Sequence, residues 1–176
     1  MKGPIYLASR YSRREELAAY RDQLSQLGFL VQARWLDGGH QISDAGAPIG
    51  ESGEALVEGD EGGTSLEAAV LRSKFAQDDW DDVNAAEIVI SFTEPPRSRA
   101  NRGGRHVEFG IALARGVRVI VVGYRENIFH WLPRVEFRRT WEEALGLLSN
   151  SGMNDSPSQY PLRNTPPKGE ESQSAS

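Results

Sequence analysis

Glu87-Ile88-Val89-Ile90-Ser91-Phe92 and Val117-Arg118-Val119-Ile120-Val121-Val122 are two short apolar runs rich in β-branched residues. Between them lies a helix-patterned stretch from about Arg105 to Arg115, closed by Gly116. Runs of this length, bounded by turn residues, read as buried strands. A strand, a helix and a second strand in that order form the connection that parallel strands require. The same alternation extends outward. Upstream, Pro4-Ile5-Tyr6-Leu7-Ala8-Ser9 reads as a strand, and Ser12-Arg13-Arg14-Glu15 has capping-box spacing ahead of Leu17, Tyr20, Leu24 and Leu27, with Gly28 as the stop. Phe29 to Leu36 reads as a second strand, and a helix is expected from about Ser65 to Ala86 behind the box Thr64-Ser65-Leu66-Glu67. Downstream, Arg134 to Arg138 reads as a fifth strand, and Thr140-Trp141-Glu142-Glu143 opens a last helix to about Leu148. The alternation predicts an α/β fold: a flavodoxin-like or Rossmann-like doubly wound parallel sheet of about five strands.

Two stretches stand apart. Residues 37–63 carry Gly-Gly, Ala-Pro and Glu-Gly pairs with few large apolar residues, and read as a functional or disordered insertion. Residues 150–176 are dominated by Ser, Pro, Asn, Gly and Glu, and read as a disordered tail behind a domain spanning 1–149.

Composition narrows the chemistry. The chain of 176 residues holds 20 Lys+Arg against 25 Asp+Glu, a net charge of −5, which argues against nucleic-acid binding by bulk charge. No cysteine is present, so disulfides, thiolate metal sites and thiol nucleophiles are excluded. His40, His106 and His130 lack metal-ligand spacing, and neither a metal nor another cofactor is expected. No apolar run is long enough to span a bilayer and no leader precedes the first strand, so a cytoplasmic location is expected. The arginines are nonetheless clustered: six lie between Arg97 and Arg118, which suits a local anion site.

In a doubly wound sheet ligands bind beyond the carboxyl ends of the strands. There Ser9-Arg10-Tyr11-Ser12-Arg13 enters a helix N-terminus, where free N–H groups and the dipole favour a phosphate. The plainer reading is that Ser12 and Glu15 only cap the helix. A second polar loop carries Ser98, Arg102, Gly104 and Arg105 into a helix bearing Glu108. It lacks the spacing of a phosphate-binding P-loop and of a dinucleotide fingerprint. Glu108 is expected in the first helical turn, where the dipole keeps a carboxylate ionised, as a nucleophile must be. A dipole-stabilising Glu without chemistry is the plainer alternative. The run Asp78-Asp79-Trp80-Asp81-Asp82 lies late in a helix and reads mostly as a solvated face, with one acid available to pair with Glu108. Two carboxylates at a glycosidic bond divide the work between attack and proton transfer. Tyr11, Trp35, Trp80, Phe129 and Trp131 are candidates for stacking on a nucleobase, although each taken alone reads more simply as packing.

Ile5-Tyr6-Leu7-Ala8-Ser9, Asp79 with Ala86-Glu87-Ile88-Val89-Ile90, and Gly104-Arg105-His106-Val107-Glu108-Phe109-Gly110-Ile111-Ala112 together resemble the nucleoside 2-deoxyribosyltransferase superfamily. The closer likeness is to its nucleoside 5′-monophosphate N-glycosidases. The resemblance implies hydrolysis of the N-glycosidic bond of a (deoxy)nucleoside 5′-monophosphate, with free base and (deoxy)ribose 5-phosphate as products. It implies that Glu108 is the nucleophile and that Asp79 positions the sugar and handles the proton of the base, with Asp82 in reserve. It further implies that Ser9 and Ser98 contact the phosphate, and that the protein is a homodimer or larger homo-oligomer. Arg10, Tyr11, Arg102, Gly104 and Arg105 complete the expected binding set, since arginines near the site favour a nucleotide over a free nucleoside. The alternatives are base exchange between nucleosides and a nucleotide sensor on the same fold. The chain departs from the family pattern in its longer Arg-rich loop, in Val107 and Glu87, and in the 37–63 insertion.

Overall fold

In the computed structural model, residues 2–38, 66–95 and 103–150 are described. The Thr64-Ser65 end of the second capping box, the 37–63 insertion beyond residue 38 and the expected tail beyond Asn150 lie outside the described residues.

Five strands, β1 (Lys2–Ala8), β2 (Phe29–Val31), β3 (Ile88–Phe92), β4 (Arg118–Val122) and β5 (Val135–Arg138), form one sheet in the order β2-β1-β3-β4-β5. Every pairing is parallel. This is the flavodoxin-like strand order, and the fold is a doubly wound α/β fold. The helices are α1 (Arg14–Gln26), α2 (Leu66–Ala85), α3 (Gly104–Arg115) and α4 (Trp141–Asn150).

Strand pleating sorts the side chains between two helical layers. Phe92 faces α1 and α4, where Tyr20 stacks on it at 5.6 Å and on Trp141 at 4.4 Å. Tyr6 and Val89 are register partners and face the other side, which α2 and α3 cover. Gly28 and Gly116 end α1 and α3 at φ +84° and +69°, a left-handed turn that costs glycine least. Arg115 donates to the carbonyls of Val83 and Ala86, satisfying acceptors at the C-terminal end of α2.

Three local expectations change. The strand expected over 29–36 stops at Val31, and Arg34–Asp37 forms a 3-10 turn. The alternation still holds, since Phe29, Ala33 and Trp35 are buried. The backbone turns because Arg34 is drawn onto α2 and the Trp35 indole N–H donates to the Leu7 carbonyl at 2.9 Å. Ser12 does not cap α1. Its Oγ accepts from Arg10 Nε, a 3-10 turn fills Tyr11–Arg13, and α1 begins at Arg14 without a side-chain cap. Glu108 is the fifth residue of α3, in its second turn, because the helix starts at Gly104. At the last box the cap half forms, with Thr140 Oγ1 accepting from the Glu143 N–H, while the Glu143 carboxylate reaches one residue further back, to the Arg139 N–H.

Candidate active site

The candidate site lies on the α2–α3 face of the sheet. The Tyr6 hydroxyl, on a fully buried side chain of β1, donates to Glu108 Oε1 at 2.8 Å. A buried phenol needs a partner for its O–H, and α3 supplies a carboxylate. Burial pushes the Tyr6 pKa well above the ordinary phenol value, and the charges of Glu108 and then Asp79 push it further. Tyr6 therefore keeps its proton and acts as a hydrogen-bond donor to Glu108, not as a base. No role for it follows from the sequence pattern; the one signal is a hydroxyl set within an apolar strand.

Asp79 comes from α2. Its pKa is raised to about 7, chiefly by burial and then by Asp82 and Asp78, with Arg34 opposing. At neutral pH this carboxyl is thus divided between acid and base forms. The charges of Glu108, Asp79 and Asp82 all raise the Tyr6 pKa, and of the three Glu108 is the one hydrogen-bonded to the phenol.

The neighbouring acids have another role. Asp82 is 3 % exposed and accepts from the Arg34 backbone N–H at 2.8 Å and from Arg34 Nε at 2.9 Å. Asp78 accepts from Arg34 Nη1 at 2.7 Å and from Lys74. The expected solvated face is therefore, in Asp82 and Asp78, a clasp that fixes the chain after β2 to α2. Asp82, the reserve choice, serves this clasp.

At the carboxyl edge, Ser9 follows β1, and its buried Oγ has no hydrogen-bond partner among the described residues. Arg10 is tied to Ser12, and Tyr11 packs on Trp35 with ring centroids 6.2 Å apart. Gly104 is the first residue of α3. Ser98 and Arg102 lie outside the described residues. Arg105, expected to meet a phosphate, is buried and ion-paired with Glu126 at 2.7 Å. Of the candidate stacking aromatics, Trp35 belongs to the core, whereas Trp80, Phe129 and Trp131 are exposed.

A cavity of about 460 Å³ opens elsewhere, beside edge strand β2, among Arg21, Gln32, Arg34, Asp37 and Asp81. None of Tyr6, Asp79 and Glu108 lines it, and its guanidiniums are paired as Arg21–Asp37 and Arg34–Asp82. Among the described residues no group of three or more His, Asp or Glu is placed to hold a metal ion, and no helix is long and apolar enough to cross a membrane.

No family model matches the chain, and no curated protein matches it in sequence. Among solved structures, the CMP N-glycosidase BcmB of Clostridium botulinum is similar to it at 15 % identity, with a TM-score of 0.49. That likeness covers 84 % of this chain and 98 % of the other, and it is one of fold.

Proposed function

We propose that the protein hydrolyses the N-glycosidic bond of a (deoxy)nucleoside 5′-monophosphate. The reading is carried by one arrangement: a carboxyl group, Glu108, held by the Tyr6 phenol, with a second carboxyl, Asp79, whose charge acts on the same phenol and whose pKa is raised to about 7. In this scheme a Glu108 oxygen attacks the anomeric carbon and forms a C–O bond as the C–N bond breaks. The departing base takes the Asp79 proton. Water then attacks the same carbon, Asp79 takes the proton back, and Glu108 is released as a carboxylate. Tyr6 fixes the direction of the attacking carboxylate, which a cation-like transition state rewards.

The phosphate end of the substrate is assigned to Ser9, Arg10 and Tyr11, with Ser98, Arg102 and Gly104 from the second loop. Arg105 acts behind this site, since its charge is engaged with Glu126. A homodimer or larger assembly is part of the same reading. Val107, at 62 % exposure, and Ile128, Phe129 and Trp131 offer an apolar surface beside α3 for a second copy.

The test is base release from a panel of ribo- and deoxyribonucleoside 5′-monophosphates, resolved by chromatography, with Glu108→Gln as control. CMP belongs in the panel because it is the nucleotide named for BcmB. Release by the wild type and not by the variant supports hydrolysis. Products that form only when a second base is added point to transfer. Binding without release points to a sensor.

A further inference from the structure

We infer that Glu126 is a positioning residue for Glu108, acting through Arg105 and the chain that leaves β3. Glu126 lies in the connection from β4 to β5. Its Oε1 accepts from Arg105 Nη2 at 2.7 Å and from the Glu94 backbone N–H at 2.7 Å, and its Oε2 accepts from Arg105 Nη2 at 2.9 Å. The two side chains are 1 % and 4 % exposed. One carboxylate therefore fastens three segments at the carboxyl edge of the sheet: the exit of β3, the first turn of α3 and the exit of β4.

The connection to the site is short. Arg105 and Glu108 are three residues apart on α3 and so lie on adjoining turns of one side of the helix. Tyr6 is fixed by the pairing of β1 with β3. The Tyr6–Glu108 contact therefore depends on how α3 seats over the sheet, and the Arg105–Glu126 pair sets that seat at its N-terminal end. The loop that presents Glu126 is itself held. The Glu126 backbone N–H donates to His130 Nδ1 at 3.2 Å, and the buried His130 ring meets Phe109 of α3 edge-on at 4.7 Å.

A buried ion pair is a poor device for stability alone, since apolar side chains of the same volume often serve as well. A planar guanidinium against a carboxylate supplies direction, because its N–H groups meet the oxygens in few arrangements. Direction is what an attacking carboxylate needs, and small misplacements are costly to rate.

Two readouts test the inference, and only the kinetic one rests on the proposed hydrolysis. The first is the 13Cζ resonance of Tyr6, assigned with Tyr6→Phe, which reports the phenol–carboxylate contact in the full chain without any substrate. The second is kcat against KM for base release. In Glu126→Gln the Tyr6 resonance should move toward its position in Glu108→Ala, which leaves the phenol no acceptor on α3, and kcat should fall about tenfold or more with KM within about threefold. The pair Arg105→Met/Glu126→Leu removes both charges together and should show the same two changes while melting cooperatively. It decides the matter if the single variant does not fold. Glu136→Gln breaks the Arg118–Glu136 pair at the start of β4 and should move neither readout. A folded Glu126 or double variant with an unmoved Tyr6 resonance and unchanged kcat overturns the inference. If the wild type releases no base from any nucleotide, the proposed hydrolysis falls, and the Tyr6 resonance still decides the role of Glu126.

Discussion

The hydroxyl of Tyr6 and Oε1 of Glu108 are 2.8 Å apart, although the two residues are separated by 102 positions in the chain. The bond runs from the second strand-layer residue of a buried run in β1 to the second turn of α3. It sets a neutral donor on one carboxyl group, while the pKa of the other, Asp79, is raised to about 7.

Tyr6→Phe removes that donor and little else, since the ring stays in the core. A hydrogen bond to a charged group contributes about 1.5–3 kcal/mol, so kcat for base release should fall about ten- to hundredfold. Single-turnover measurements, with an equilibrium urea melt for stability, check this.

Glu108→Gln keeps an oxygen to accept from Tyr6 but removes the proposed nucleophile. Base release should fall about a thousandfold or more, while nucleotide binding measured by calorimetry is retained. Undiminished turnover would remove Glu108 from the mechanism.

Asp79 should give opposite signatures in rate and in stability. In the proposed role of proton donor it is competent below about 7, so kcat should decline as pH rises through that value, and Asp79→Asn should abolish the decline along with most of the activity. The folded-state pKa is raised from 3.8, so the folded protein holds this proton longer than the unfolded chain does. Stability from this group therefore falls as pH rises from about 4 to about 7. Discounted for solvent screening, Asp79→Asn should gain about 1–2 kcal/mol more at pH 8 than at pH 5. Urea melts at the two pH values check the sign.

Asp82→Ala breaks the clasp with Arg34. Arg34 is half exposed, which moderates the loss of a buried pair to about 1–3 kcal/mol. The same substitution removes a charge that raises the Asp79 pKa, so the high-pH decline of kcat should move to lower pH. A pH–rate profile of the folded variant measures the shift.

Gly123→Ala tests the turn after β4. Gly123 has φ +112°, and an added Cβ would lie 2.9 Å from Thr93 Oγ1 and 3.0 Å from the Thr93 carbonyl oxygen. The backbone conformation and the contact together should cost about 2 kcal/mol or more in a thermal melt.

The doubly wound sheet was legible because each strand is a separate apolar run and each helix ends on a marked stop, as at Gly28 and Gly116. Asp79 and Glu108 were expected as a pair through the family resemblance, not through spacing, since they sit on different helices. What stayed hidden depends on partners far along the chain. Ser12 has the spacing of a cap, yet Arg10 takes its hydroxyl. Residues 29–36 alternate as a strand does, yet Asp82 pulls Arg34 away from the sheet. Arg105 reads as an anion donor until Glu126 is found beside it. Tyr6 looked like core until its hydroxyl had a destination. In each case a one-dimensional pattern names the residue type, and the three-dimensional partner decides its role.

The order in which the chain delivers Tyr6 and the two carboxyls has a consequence for synthesis. Tyr6 comes with β1, Asp79 late in α2, and Glu108 only within α3. A nascent chain cannot make the Tyr6–Glu108 contact until α3 has left the ribosome and docked. Cleavage between α2 and α3 would part the two carboxyls onto separate polypeptides, so neither fragment alone would carry the proposed centre. The Tyr6–Glu108 contact thus serves as a gauge of completed assembly, and recovery of activity on mixing two such fragments would report their reassociation.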